Sequence, residues 1–160
     1  MLKKIIVSLS FGMVFAILVS MANFDVSCNE LRQNVLRLHI IANSDDDFDQ
    51  QLKLKIRDSV LNSGCECFKN CDNIDDAILT ASENTEKFYK IAKDVIVSNG
   101  YDYAVDVSVG DSYFENRRYE NYTLPAGTYK ALKIVIGEGK GKNWWCVMFP
   151  SVCIPAFGNS

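Results

Sequence analysis

At 160 residues and 48% hydrophobic content, the chain is long enough for one domain with a buried core. Its 17 basic and 20 acidic residues leave a net charge of −3. That balance excludes nucleic acid as the partner, since gripping phosphates requires a net basic face.

The first element is apolar. Lys3 and Lys4 precede an uncharged run from Ile5 to Phe24, and Ser20-Met21-Ala22 places small residues at the −3 and −1 positions of a cleavage site. Residues 1–22 therefore read as a signal peptide or an N-terminal membrane anchor. Twenty uncharged residues suffice to span a bilayer, but Ser8, Ser10, Gly12 and Ser20 weaken an anchor and favour cleavage. Residues 23–160 then form a single exported domain with 15 basic and 20 acidic residues, a net charge of −5. Electrostatic attraction to anionic lipid is thereby removed, leaving the N-terminal segment as the means of membrane association.

After a short polar lead, Asn34–Ile41 alternates as a strand, with Leu36, Leu38 and Ile40 on one face and Arg37 and His39 on a polar outer face. Ser44 and Asp47 form a capping-box variant that opens a helix. Phe48, Leu52, Ile56 and Val60 make its apolar stripe, and Asn62-Ser63-Gly64 stops it. A second helix is expected over 74–98, ending at Asn99-Gly100. The period then changes from 3.6 to 2. Tyr101–Val109 reads as a strand, Gly110–Gly127 as a loop, and Thr128–Ile136 and Asn143–Phe149 as two further strands. The order β-α-α-β-β-β predicts an α+β two-layer sandwich, with an about four-stranded, mostly antiparallel sheet and two amphipathic helices on one face.

Several chemistries fail on spacing. Gly141-Lys142 has Ile136 where a P-loop needs its first glycine, and the strand-like "NWWCVMF" follows instead of a helix. Gly137–Gly141 is instead expected as a hairpin turn. Asp45, Asp47 and Asp49 start like a calcium loop, but Gln50 and Ile56 occupy its glycine and glutamate positions. Cys65, Cys67 and Cys71 form a weak zinc pattern that only distant Cys28 could complete. No cofactor or metal is expected. His39, the single histidine, has no nucleophile motif around it, so no catalytic residue is assigned. Cys146 and Cys153 flank Pro150, where the chain should turn back, and are the candidate disulfide. Trp144 and Trp145 are consecutive in a strand and must face opposite ways, one toward the helices.

"LRLHIIANSDDDFDQQLKLKIRDSV" (36–60), "GYDYAVDV" (100–107) and "TLPAGTYKALKIVIGEGKGKNWWCVMFPSVC" (123–153) together resemble stage II sporulation protein R. The resemblance spans the domain, with Ser151 where a second proline is usual and three link cysteines outside the family pattern. It implies a signalling protein, not an enzyme. Such a protein is exported from the forespore into the space between forespore and mother-cell membranes, free or held by its N-terminus. There it triggers a membrane-embedded aspartic protease that processes the pro-form of the mother-cell sigma factor. Candidate partner-binding residues are Asn43, Ser44, Asp45, Arg57, Asp58, Arg118, Tyr119, Trp144 and Trp145. The competing class is an exported cell-wall hydrolase using Cys146 or His39.

Overall fold

The computed structural model describes residues 2–118 and 123–150, apart from the side chains of residues 2, 22–25, 27 and 65. Its first element, α1 (Leu2–Gln33), is one continuous helix. The stretch Lys3–Met21 is long and apolar enough to cross a bilayer. The helix then continues through what the sequence suggested was a polar lead. Its C-terminal end is fastened to the domain: Cys28 is buried, and Arg32 Nη2 donates to the Ala126 carbonyl at 2.8 Å.

Strand β1 (Leu36–Ile41) is followed by three helices, α2 (Asp47–Cys67), α3 (Ile74–Glu83) and α4 (Thr85–Ser98). Then come β2 (Val105–Phe114), a small hairpin of β3 (Arg117–Arg118) and β4 (Thr123–Leu124), β5 (Gly127–Ile136) and β6 (Asn143–Phe149). The main sheet runs β2-β5-β1-β6. β2–β5 and β1–β6 pair antiparallel and β1–β5 parallel, so the α+β class and mostly antiparallel sheet stand.

One topological expectation is overturned. β5 and β6 are not hairpin partners, because β1 lies between them. The connection Gly137–Lys142 is an arch over the end of β1, tied down where Lys140 N–H donates to Asn43 O (3.1 Å) and Gly141 N–H to Ala42 O (2.9 Å). Gly137 and Gly139 take φ of +56° and +62° in this arch, which explains the glycines equally well. The turn composition marked a reversal but carried no information about what it reverses around.

The helical layer has three members, not two. The expected long helix breaks at Asn84, which caps α3 and begins α4; its side-chain amide donates back to Thr80 O (2.8 Å) and Thr85 Oγ1 to Ser82 O (3.1 Å). Such side-chain bonds compete with the helical ladder. The second strand begins later than expected and runs to Phe114, so the long loop shrinks to the region of the β3–β4 hairpin.

The core follows the two periodicities. Leu36, Leu38 and Ile40 of β1 align with Leu132 and Ile134 of β5 and meet Leu52, Ile56 and Val60 of α2 and Phe88, Ala92 and Ile96 of α4. Phe48, the first member of the α2 stripe, is an exception: it is 72% exposed, forgoing the roughly 1.5–3 kcal/mol that burying such a side chain contributes. Ser44 does not cap α2 either. Asp46 is the N-cap residue, and the Ser44 hydroxyl donates to Asp49 instead.

Gly64 does not stop α2, which runs on to Cys67. A Cβ there would lie 2.9 Å from Met148 Cε, the mobile end of a flexible side chain that can swing aside, and in ordinary contact with the Phe68 ring. Gly64→Ala should therefore stabilise by up to about 1 kcal/mol, because alanine is the better helix former by about that amount. Urea unfolding of the variant checks the sign, and a clear loss of stability contradicts it.

Candidate functional site

The Trp144-Trp145 pair organises the surface. The register sets Trp144 beside Ile40 and Trp145 beside His39, so the two rings face opposite ways, as strand alternation requires. On the helical face, Arg57 of α2 lays its guanidinium 4.4 Å from the Trp144 ring centroid. Arg57 Nε also donates to Asp58 Oδ1 at 2.6 Å, which fixes the charged plane over the indole. The side chains of Arg57 and Asp58 are 20% and 41% exposed. Three sequence-predicted residues from two elements thus meet in one partly solvated patch.

The opposite face is not the polar surface the alternation suggested. Arg37 is fully buried (0% exposed), its guanidinium 3.9 Å from the Phe114 centroid and 4.8 Å from that of Tyr129. Phe114 is delivered by the unexpected extension of β2, which covers this face. His39 packs against Phe114 and Trp145, and Arg117 of the small hairpin stacks over Trp145 at 5.0 Å. The buried guanidinium lies on two π-faces, a placement that an alternation of polar and apolar residues does not reveal.

His39 Nε2 is hydrogen-bonded to Asn143 Oδ1 at 2.9 Å. Its pKa is lowered by burial, with Lys133 and Arg37 adding repulsion, while the Asn143 hydrogen bond opposes the shift. The imidazole is therefore held neutral. Cys146 lies beside Leu38 on the helical face and is buried (6% exposed) and disulfide-bonded. Facing away from His39 across the sheet, it forms no thiol–imidazole pair with it. Cys153 and Tyr119 lie outside the described residues.

Asn43, Ser44 and Asp45 have structural employment. Asn43 Nδ2 and Ser44 Oγ donate to Asp49 Oδ2 at 2.8 and 2.7 Å, Asn43 Oδ1 accepts from Glu138 N–H (3.0 Å), and Asp45 Oδ1 accepts from Lys142 N–H (2.7 Å). They latch the arch to the β1–α2 corner. Burial acts to raise the Asp49 carboxyl, but the bonds from Asn43, Ser44 and Tyr103 outweigh it and hold it below its ordinary value. Arg118 is exposed on β3, remote in the chain from the Arg57 patch. Sequence reasoning missed Phe114 and Arg117, which the loop assignment hid, and Tyr129, which has no motif to mark it.

The family model for stage II sporulation protein R matches residues 32–159. The chain belongs to that family. A curated relative, stage II sporulation protein R of Bacillus subtilis (strain 168), is 38% identical over 124 residues, covering 78% of this chain and 55% of its own length. The chain thus spans about half the length of the curated relative it matches. No solved structure matches. The matched segment begins at Arg32, the residue that fastens α1 to the domain, and takes in both faces of the tryptophan pair.

The lowered His39 pKa has a consequence for this family member. The unfolded chain accepts the proton at the ordinary value near 6.5, the folded chain only at lower pH. This contribution to stability is present above pH 6.5 and is lost as pH falls from there toward the folded value. His39→Gln should flatten that part of the profile. Urea midpoints measured between pH 8 and pH 5 check it, and an unchanged slope in the variant contradicts it.

Proposed function

We propose that this chain is an exported signalling protein of sporulation that activates a membrane-embedded aspartic protease, which in turn processes the pro-form of the mother-cell sigma factor. Membership of the stage II sporulation protein R family carries the reading. The N-terminal apolar helix supports export or anchoring, and the separation of Cys146 from His39 across the sheet leaves the hydrolase alternative without its pair. The protein acts by binding, not by catalysis. It favours the active state of its receptor and shifts that population by its difference in affinity for the two states.

The receptor-facing surface is the Arg57–Asp58–Trp144 patch. A flat aromatic under a guanidinium that is fixed by a neighbouring carboxylate offers area and directed donors at small entropy cost, the usual composition of interface anchors. Arg57→Ala should leave the fold intact and cost about 2 kcal/mol of binding, roughly thirtyfold in affinity. Pro-sigma processing in sporulating cells that carry the variant as their only copy should fall correspondingly, with circular dichroism confirming the fold. Full processing by a folded Arg57→Ala, Trp144→Ala variant removes this surface. Full processing in cells lacking the gene removes the function.

Export further implies cleavage after Ala22 and a Cys146–Cys153 disulfide in the oxidising exterior. N-terminal sequencing of the exported protein should begin at Asn23, and non-reducing peptide mapping should recover the two cysteines on linked peptides. A retained Met1, or Cys146 joined elsewhere, overturns the respective assignment.

A further inference from the structure

A groove of about 600 Å³ opens between the start of α2 and the segment that precedes β2. Its walls include the rings of Phe48, Tyr101 and Tyr103 and the acidic residues Asp46 and Asp47. The tyrosines are stacked, with centroids 5.2 Å apart and planes 21° from parallel. Tyr101 and Tyr103 both pack their inner sides against the core. Acids at a helix start are ordinary, and alone they would signify only the dipole. The aromatic wall is what they do not explain. Phe48 belongs by period to the buried stripe of Leu52, Ile56 and Val60, yet it stands 72% exposed beside the acids. Asp46 makes no side-chain cap bond, so capping does not account for its carboxylate.

We propose that this groove receives a lysine or arginine side chain presented by a basic segment of a protein partner. Aromatic faces attract a cation through their quadrupole while covering its apolar stem, and the acids supply the countercharge. The positive end of α2 amounts to about half a unit charge, which Asp46 and Asp47 together exceed, so the local field favours a cation. The domain's net negative charge brings a basic partner to it. Occupancy of the groove does not depend on the signalling reading, and its test involves no processing assay.

The full chain, labelled for NMR in a non-ionic detergent, is titrated with acetyl-pentalysine-amide. The fully Nζ-acetylated peptide and acetyl-pentaglutamate-amide serve as controls. Saturable shifts of the Phe48, Tyr101 and Tyr103 ring signals are expected with the lysine peptide alone, and about 1 M salt should suppress them. Phe48→Ala and Tyr101→Ala, which leave the Asn43 and Ser44 bonds to Asp49 untouched, should each raise Kd about two- to fivefold, as for a cation on an exposed ring. Asp46→Asn with Asp47→Asn should raise it further. No shift at these rings, equal binding of the acetylated peptide, or an unchanged Kd in both aromatic variants overturns the proposal; the last outcome means attraction by charge alone.

Discussion

The intrusion of β1 between β5 and β6 is the constraint on which the rest depends. Two strands that are neighbours in the chain are held apart by the width of a third, so their connection must pass over the end of β1. The passage brings polar backbone into a tight corner, and buried backbone groups must find partners. Asn43 and Asp45 supply acceptors, Lys140 and Gly141 bond to the strand end, and Lys53, itself buried, donates to Lys142 O and Gln50 Oε1 at 2.9 and 2.6 Å. Burial pulls the Lys53 ammonium below its ordinary pKa, and Asp45 partly restores it. The acidic corner that looked like a ligand site is in large part the fastening of this arch.

Strand alternation makes β6, the edge strand beside β1, present a tryptophan to each face. Each indole is met by an arginine from a different element, Arg57 from α2 and Arg117 from β3, while Arg37 lies on Phe114 and Tyr129. Such stacks range from about 0.5–1 kcal/mol at exposed sites to about 2 kcal/mol when desolvated. Arg37, fully enclosed, belongs at the upper end and is architectural. Arg57, partly in water, retains a surface that another protein can reach.

Much of the fold was legible because period-2 and period-3.6 patterns map directly onto faces. Leu36-Leu38-Ile40, Leu52-Ile56-Val60 and Phe88-Ala92-Ile96 all became core. Strand order was not legible, since alternation fixes faces and not neighbours. The role of Arg37 was hidden for a related reason: its cover comes from Phe114 and Tyr129, far away in sequence, and a charged residue reads as exposed unless its aromatic partners are known. Gly64 read as a stop because local propensity favours that outcome, yet α2 runs on to Cys67 and brings Phe68 into the core. Within the site, the tryptophans and Arg57 were identified by type, but only the register showed that Trp144 goes with Arg57 and Trp145 with His39.

The central position of β1 also bears on when the molecule can assemble. Leu36 pairs with Lys130, and Leu38 with both Leu132 and Cys146, so the sheet closes only after nearly the whole chain is present. Contacts this distant in sequence carry a large loop-closure cost before any reward, and they slow folding. The helices can flicker into existence early, but their apolar faces find no sheet until the C-terminal third arrives. A sheet that closes this late leaves the chain unfolded for longer after synthesis, which is the state the proposed export would require of it.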